Sequence, residues 1–355
     1  MRFVELPLVG FEIKKGIVSF ATPIIIEPKE VKSLAQDFFR LFQRYIFPKA
    51  KAIGEPKKEA NADTFPIYLN NRKTAYLNFI YDIDATRLSF ECSRWDAKSE
   101  IQIIDPLFRL LREQRVIKPD LEYIRKKVSG TLSEIVAALL WQIGAVKVSL
   151  GDIKPFFKVD ERKNRSPIYL DLKCLPNYPR VFDFLISQSA LILAHYDFDL
   201  ICGIEAGSIS FASLLAQKIA KPSFFARRER RYKEAPLLEG IKEHELFRKK
   251  VLLVDDTVVK GWTKRRAIEE IRAKGGICEY TFVIFDRQEG AREELTSLNC
   301  SLLFLTNRAA LLSKRIPQDI TLITEREYKE ILAYFSNPRR WHEKQGFPYH
   351  ELKPR

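Results

Sequence analysis

The sequence has few of the residues that build metal centres and disulfide frameworks. Its 355 residues include only five cysteines and four histidines. No two cysteines form a CxxC pair, and no histidine stands at ligand spacing from a cysteine or another histidine, so a zinc site has little support. The cysteines lie far apart in apolar stretches, which favours buried free thiols in a reducing compartment. They are Cys92, Cys174, Cys202, Cys278 and Cys300.

Long hydrophobic runs are also missing. No apolar stretch approaches the ~18 residues that a membrane span requires. The first residues, MRFVELPLVGFEIKK, are interrupted by Glu5 and Glu12 and do not resemble a signal peptide. The sequence therefore predicts a cytoplasmic protein that does not enter a membrane.

Apolar residues and positive charge are both plentiful. Hydrophobic residues make up 46% of the chain, which predicts packed cores rather than global disorder. The length allows two ordinary domains. The formal net charge of +14 suits an anionic partner such as a phosphate ligand, a nucleic acid or an acidic surface. A solvated surface rich in lysine and glutamate explains the same charge equally well.

The pattern of helices and strands changes about a third of the way along the chain. Residues 1–128 predict an α+β domain of unassigned role, and the boundary follows a charged stretch that ends at Gly130. Within this domain we predict helices over 28–45 and 104–114, a loop over 49–63, and two or three strands over 66–95.

Residues 129–330 alternate short apolar strands with helices, which predicts βαβ units and a parallel sheet flanked by helices. The predicted strands cover 200–204, 223–226, 251–254, 280–285 and 302–305, and the predicted helices cover 132–143, 181–195, 209–220 and 264–274. The remaining residues, 331–355, form a basic C-terminal tail that either docks or stays loose.

The most specific motif is Val251–Thr263, VLLVDDTVVKGWT. A strand ends in Asp255 and Asp256, a turn containing Gly261 follows, and a helix begins. Carboxylates accept hydrogen bonds from ribose hydroxyls or hold Mg²⁺ through water, and the amides at a helix start bind a phosphate monoester. This combination predicts a sugar phosphate at the carboxyl ends of the parallel strands. An acidic strand end without a ligand is the alternative.

Two further loops are predicted at the same edge of the sheet. The first, Glu205–Ser208 (EAGS), has small residues that let backbone amides approach an anion, although a tight turn without a ligand explains it as well. The second, 226–240, is rich in cations, and guanidinium groups bind phosphate bidentately. Its position between two core strands favours a mobile anion-binding loop over a solvated charged face. Its cations are Arg227, Arg228, Arg230, Arg231 and Lys233.

Residues from about 133 to 305 resemble the orotate phosphoribosyltransferases, which have the type I phosphoribosyltransferase fold. The resemblance implies transfer of a phosphoribosyl group from 5-phosphoribosyl 1-diphosphate (PRPP) to orotate, giving orotidine 5′-phosphate and diphosphate. It implies Mg²⁺ that is carried by PRPP, with no direct protein ligand. The segments that match in order and spacing are GAVK (144–147), SPIYLDL (166–172), DLICGIEAGS (199–208), the basic loop (227–233), VLLVDD (251–256) and FDRQEG (285–290).

The same resemblance implies a role for each matching residue. The two aspartates would hold the ribose hydroxyls, the amides of Lys260–Thr263 the 5′-phosphate, and the EAGS and basic loops the diphosphate. An arginine would pair with the orotate carboxylate and a tyrosine would flank the base. A homodimer, in which the basic loop serves the neighbour's site, is implied as well. The predicted residues are Asp255, Asp256, Arg231 and Lys233 for catalysis; Glu205, Ala206, Gly207, Ser208, Arg227, Arg228, Lys260, Gly261, Trp262 and Thr263 for PRPP; and Arg287 and Tyr169 for the base.

The sequence departs from the family pattern in three places. In the phosphate turn, Val259 and Trp262 replace small or hydroxylated residues, and Lys260 adds a charge. In the basic loop, Arg231 and Lys233 occupy the places of a lysine and a histidine. The turn before SPIY is longer and spans 160–165, so Arg162 or Lys163 would have to replace a lysine that touches the base.

These departures leave two alternative functions open. One is a diverged homologue that binds PRPP or a nucleotide and regulates another protein with little or no turnover. The other is nucleic-acid binding through residues 1–128 and the basic tail. Aromatic residues on strand-like segments would then stack on bases, although core packing explains them as well. These aromatic residues are Phe79, Tyr81, Phe90 and Trp95.

Overall fold

Two large β-sheets, each with its own hydrophobic core, organise the protein. The computed structural model describes residues 9–14, 17–22, 26, 28–45, 50–70, 73–81, 86–92, 121–128, 130–151, 155–159, 164–232 and 235–351. The predicted helix over 104–114 lies outside these residues.

The N-terminal sheet is antiparallel and pairs its strands in the order β1-β2-β7-β6-β5-β3, with β4 pairing β5. One long helix, α1, accompanies it, so the expected α+β class is confirmed. The elements are β1 Val9–Lys14, β2 Ile17–Thr22, α1 Pro28–Tyr45, β3 Ala52–Ile53, β4 Lys57–Glu59, β5 Ala62–Asn70, β6 Lys73–Tyr81 and β7 Thr86–Cys92. The predicted loop over 49–63 is wrong in part, because β3 and β4 form by pairing with β5.

Helix α1 packs its apolar face on this sheet. Phe38 and Phe42 of the helix contact the ring of Phe90, with centroids 6.0 Å and 5.4 Å apart. Phe79 and Phe90 are both 0% exposed. Because stacking on a nucleic acid requires an accessible ring face, these two residues serve the core instead. Trp95 lies outside the described residues.

The second sheet is mostly parallel and has the order β14-β13-β12-β15-β16-β17, with only β14 antiparallel. Helices flank it, which confirms the predicted α/β class. This sheet and the elements around it form the second unit, in which β8 pairs with β11 and β9 with β10 as two small separate sheets. The elements of the second unit begin with α2 Leu121–Lys127, α3 Leu132–Gln142, β8 Val146–Val148, β9 Phe157–Lys158, β10 Arg165–Ser166, β11 Ile168–Leu170, a 3₁₀ helix Leu172–Asn177 and α4 Pro179–Leu193. They continue with β12 Leu200–Ile204, α5 Ile209–Lys218, β13 Ser223–Ala226, β14 Leu238–Glu239, α6 Glu243–Leu246, β15 Lys250–Val258, α7 Trp262–Ala273, β16 Ile277–Asp286, α8 Ala291–Thr296 and β17 Ser301–Asn307.

The strand order brings three loops together. Strand β12 lies between β13 and β15 and runs parallel to both, so the loops that follow these strands are neighbours at one edge. Strand β15 is longer than predicted and includes both aspartates, because β16 continues to pair with it as far as Val258. The acidic pair therefore has the fixed backbone of a central strand rather than that of a loop.

The C-terminal residues fold against the second unit. Four helices follow β17: α9 Arg308–Leu311, α10 Gln318–Thr321, α11 Glu325–Ser336 and α12 Pro338–Lys344. Trp341 and Tyr334 form a small apolar cluster with Phe156. Asn164 and His350 exchange two hydrogen bonds of 2.8 and 2.9 Å. Helix α11 runs through residue 330, where the sequence places a boundary, and the boundaries at 128 and 330 remain predictions. No helix among the described residues has the length and apolar character needed to cross a bilayer.

Candidate active site

The candidate site lies at the carboxyl ends of β12, β13 and β15. Strand β15 ends in a turn that reaches Gly261, whose φ of 85° favours glycine because a Cβ is strained there. Gly261 is also the N-cap of α7 and supplies no side-chain hydrogen bond to the helix start. The first amides of α7, beginning at Trp262, therefore keep their capacity to bind an anion.

Asp255 is enclosed within the protein and 2% exposed. Its Oδ1 atom accepts a hydrogen bond of 2.8 Å from the backbone N–H of Asp256. Its Oδ2 atom is ion-paired with Nζ of Lys264, and the same ammonium group donates to the backbone oxygen of Thr257 at 2.7 Å. Both carboxylate oxygens of Asp255 are thus engaged by groups of the chain.

Asp256 is half-buried and lies against the EAGS loop. A methyl group in place of the Gly207 hydrogen would overlap the Asp256 carboxylate, so glycine is required for this close approach. Burial and the neighbouring Asp255 raise the pKa of Asp256 to about 6, against the opposing charges of Lys264 and Arg228. The structure thus brings together Asp256 and Gly207, which the sequence analysis assigns to the same site.

The EAGS loop uses its polar side chains internally. Glu205 accepts hydrogen bonds from Nη1 of Arg227 at 2.9 Å and from the backbone N–H of Arg228 at 3.2 Å. Ser208 is fully buried, and its hydroxyl donates to the backbone oxygen of Ile204. The Glu205–Ala206 peptide bond is cis. These side chains connect neighbouring strands, so a ligand would meet mainly the backbone of the loop.

Most of the described cations of the basic loop are paired within the protein. Arg227 is ion-paired with Glu239 as well as Glu205, and its hydrogen bond to Glu239 lowers the pKa of that carboxyl. Arg230 is paired with Glu270 at 2.7 Å. Arg231 has only a 3.8 Å contact with Glu239, and its side chain is 62% exposed. Lys233 lies outside the described residues.

Lys260 and Thr263 lie on either side of Gly261, in and after the predicted phosphate turn. Lys260 is half-buried, and its Nζ lies 3.8 Å from the position that a Cβ on Gly290 would take. Thr263 is exposed in the first turn of α7. Lys173, from the 3₁₀ helix, stands on the other side, with its Cγ 3.5 Å from a Cβ placed on Gly207.

The predicted base residues lie beside the C-terminal helices. Nε of Arg287 donates to Glu289 at 2.8 Å, and the guanidinium is 5.9 Å from the ring centroid of Phe335 in α11. Tyr334 lies beside Ser166 and Arg287, and burial raises the pKa of this tyrosine. Helix α11 therefore connects Arg287 with the SPIYLDL segment.

Tyr169 lies on β11, where it pairs with Lys147 of β8. Nζ of Lys147 is 5.8 Å from the Tyr169 ring and 2.6 Å from Oδ2 of Asp171. Lys147 thus supplies a cation beside the predicted base residue. The sequence-based candidates for that position, Arg162 and Lys163, lie outside the described residues.

Sequence reasoning missed Lys264, Lys147 and Tyr334. Lys264 had a detectable signal, because it shares the buried face of α7 with apolar residues at helical spacing, Ala267, Ile268 and Ile271. A charged residue in such a stripe requires a buried partner. Lys147 is part of the GAVK segment but had no separate signal. Tyr334 had none, because its partners are distant in sequence.

Comparison with known proteins agrees with this architecture. Residues 175–301 match the family described as phosphoribosyl transferase domain. The fold and the acidic strand end thus define a phosphoribosyltransferase domain.

Individual relatives identify the family more narrowly. An orotate phosphoribosyltransferase from Sulfolobus acidocaldarius is 38% identical over 169 residues, which span 48% of this chain and 83% of the relative. One from Staphylothermus marinus is 33% identical over 215 residues, covering 59% of this chain and 97% of the relative. A crystal structure of the Aeropyrum pernix enzyme has 24% identity and a TM-score of 0.43, covering 50% of this chain and 96% of that one. The chain belongs to the orotate phosphoribosyltransferase family.

Proposed function

We propose that this protein transfers the phosphoribosyl group of PRPP to orotate, giving orotidine 5′-phosphate and diphosphate. The carrying observation is the placement of Asp256, a half-buried carboxylate that lies against Gly207, next to the uncapped start of α7. A ribose phosphate fits this arrangement because its hydroxyls donate to a carboxylate while its phosphate accepts from helix amides.

Each part of PRPP has a group of suitable charge nearby. Asp256 would accept hydrogen bonds from the ribose hydroxyls. The amides of Trp262 and Thr263, with the charge of Lys260, would hold the 5′-phosphate. The exposed Arg228 and Arg231 would face the diphosphate, since they are less completely paired than Arg227 and Arg230.

Magnesium would enter this site with PRPP. Among the described residues, no group of three or more histidine, cysteine, aspartate or glutamate side chains is arranged to hold a metal ion. The partly exposed carboxylate of Asp256 would accept hydrogen bonds from the waters of Mg²⁺, whose direct ligands would be those waters and the oxygens of PRPP. When bound, the ion would neutralise charge on the diphosphate.

The reaction would be promoted mainly by electrostatics. The base nitrogen forms a bond to C1 of the ribose and releases its proton to solvent, while the bond from C1 to the diphosphate oxygen breaks and the diphosphate takes the electron pair. The ribosyl centre becomes cationic as the bond breaks, so the leaving group needs positive charges. Arg228 and Arg231 lie where they would supply them. Arginine does not donate a proton at neutral pH, so these residues stabilise charge without acting as acids.

Three described residues favour orotate over an uncharged base. The carboxylate of orotate suits Arg287, which would exchange part of its contact with Glu289 for the ligand. Tyr169 would flank the ring, and Lys147 stands beside Tyr169 as a further cation.

A coupled assay of diphosphate release would test the proposed function. The full-length protein, with PRPP and Mg²⁺, would be supplied in turn with orotate, uracil and purine bases. We expect release with orotate and little with the others, and Asp256→Asn should lose most of it. Absence of turnover with every base, in protein shown to be folded, would refute the enzymatic proposal.

A regulatory protein that binds PRPP without turnover is the second candidate. The observation that favours it is the internal pairing of Arg227 and Arg230, which leaves fewer cations for a leaving group. This candidate predicts that PRPP raises the melting temperature while the diphosphate assay stays silent. Turnover with orotate would exclude it.

We also propose a cytoplasmic homodimer. Four buried free cysteines among the described residues suit a reducing compartment. The exposed side chains of Arg231 and Tyr232 suit a loop that reaches a neighbour. Sedimentation would measure the oligomeric state. If the loop serves the neighbouring site, mixing the impaired variants Arg231→Met and Asp256→Asn should restore part of the activity when it is measured at a PRPP concentration well below the KM of either variant.

A further inference from the structure

The two adjacent aspartates have unequal access to a ligand. The side chain of Asp255 is 3% exposed and that of its partner Lys264 is 6% exposed. Each oxygen of Asp255 already accepts a hydrogen bond, from Lys264 or from the Asp256 amide, and the side chain has almost no exposed surface. A ribose hydroxyl therefore has little access to Asp255.

Lys264 connects the two elements on either side of the phosphate turn. It belongs to the first turn of α7, and its ammonium group contacts Asp255 and the backbone oxygen of Thr257, both in β15. A buried ammonium is stable only when it is paired and hydrogen-bonded, so this geometry fixes the helix start relative to the strand end. The residues between these anchor points form the turn whose amides face the phosphate.

The side chains of the turn itself supply few hydrogen bonds to its backbone. Gly261 provides no side-chain cap, and Val259 and Trp262 have no hydroxyl groups with which to bond the backbone. The contact between Lys264 and Asp255, together with the ion pair of Arg265 with Glu294, therefore holds the first turn of α7 in place.

Asp256 has the opposite environment. It is half-buried, its carboxylate faces the EAGS loop at Gly207, and Arg228 is close enough to influence its charge. Of the two acids, it is the one whose side chain reaches the place where PRPP would bind.

We propose that the pairing of Lys264 with Asp255 gives the two aspartates different roles. Lys264 and Asp255 form a buried brace between β15 and α7, while Asp256 alone of the pair binds the ribose. Lys264 and Asp255 are then positioning residues, and Asp256 is the binding residue. The ribose half of this proposal rests on the proposed function, whereas the brace does not.

The brace is tested by a double-mutant cycle without ligand. Lys264→Met and Asp255→Asn each leave a buried charge unpaired, so each should lower the melting temperature by roughly 10 °C. The double variant removes both charges and should lower it by less than half the sum of the single effects. Additive losses would overturn the brace.

The division of roles is tested by binding of PRPP with Mg²⁺, measured by calorimetry. Asp256→Asn should weaken binding about 10- to 100-fold, because it removes a charged acceptor of hydrogen bonds. The Asp255→Asn/Lys264→Met double variant should weaken it less than about threefold by the same reasoning, since neither residue touches the ligand. Equal losses in the two proteins would overturn the proposal.

A kinetic measurement separates positioning from general loss of structure. In the double variant, any increase in KM should concern PRPP and not orotate, because the brace supports only the phosphate turn. An equal increase for both substrates would contradict this role. If PRPP binding shows the predicted asymmetry and no base is turned over, the proposed reaction fails while the brace stands. If the unmodified protein does not bind PRPP, the ribose half fails with the proposed function.

Discussion

The acidic end of β15 and the basic loop after β13 differ in how many of their charged side chains are paired within the protein. At the acidic end, one carboxylate is buried and paired with Lys264, and the other faces the site. In the basic loop, Arg227 and Arg230 are paired with glutamates from other elements, whereas the side chain of Arg231 is 62% exposed and has only a 3.8 Å contact with Glu239. The number of charges in a segment therefore differs from the number available to a ligand, and pairing within the protein decides which residue binds.

The largest effect that this comparison predicts comes from the contact between the two sides of the site. In Gly207→Ala, the new methyl group overlaps the Asp256 carboxylate and displaces either the acid or the loop. We expect kcat/KM to fall by about 100-fold, as displacement of a binding group by an ångström can do. The matched control is Ala206→Gly, an exposed position in the same loop that adds no atoms. Near-normal activity of Gly207→Ala would show that the two sides do not cooperate.

Arg231→Met tests whether accessibility identifies the working cation. We expect KM for PRPP to rise about tenfold, since a charged hydrogen bond to the diphosphate is lost, with KM for orotate unchanged. Arg248→Met is a suitable control, because Arg248 is also exposed but precedes β15, at the opposite edge of the sheet. Steady-state kinetics of both variants would measure KM for PRPP and for orotate. If both change KM equally, the accessible arginine has no special role.

The pH dependence of PRPP binding tests the acidic side. With a pKa of about 6, Asp256 is protonated below that pH and no longer accepts a hydrogen bond on both oxygens. Affinity should fall by up to about tenfold per pH unit below this value, and Asp256→Asn should flatten that part of the profile. Calorimetry between pH 5 and about 8 covers the transition.

The raised pKa of Asp256 also predicts the direction in which the stability of the protein changes with pH. Because the folded state holds this proton more tightly than the unfolded state, the contribution of Asp256 to stability falls as pH rises from 3.8 to about 6. A melting-temperature series should therefore show a smaller decrease over this range in Asp256→Asn than in the unmodified protein. An identical series in both proteins would contradict the assigned pKa.

The smallest effect is predicted for the paired side of the basic loop. Arg227→Gln breaks ion pairs that are less buried than the pair of Lys264 with Asp255, so the melting temperature should fall by no more than about 3 °C. The contrast with Lys264→Met measures how much burial strengthens a pair. Equal shifts in the two proteins would remove that distinction.

Residue pattern alone predicts most of the frame of this protein. Strands β12, β13, β15, β16 and β17 all contain their predicted segments, because short apolar runs between helices specify a buried parallel sheet. The three loops at one edge follow directly from that topology. Pattern also places Asp255 and Asp256 at the strand end, beside the helix start.

What pattern does not predict is the partner of each charge. The pairing of Asp255 with Lys264 depends on the rotation of α7 over β15, and that of Arg227 with Glu239 depends on how β14 returns beside β13. The link from Tyr334 to Arg287 depends on where α11 docks. Local periodicity fixes which face of an element is buried, whereas these contacts are set by tertiary placement.

The docking of the last helices has a consequence for synthesis of the chain. The backbone N–H of Arg165 donates a hydrogen bond to His342, and Phe156 packs with Tyr334 and Trp341. These C-terminal partners are translated much later. N-terminal parts of a protein generally fold first as it emerges from the ribosome, so the parallel sheet and its phosphate side can form while α11 and α12 are still being made. The base side acquires its final wall only when translation is nearly complete. A nascent chain that stops before residue 325 should therefore bind a ribose phosphate before it can select a base.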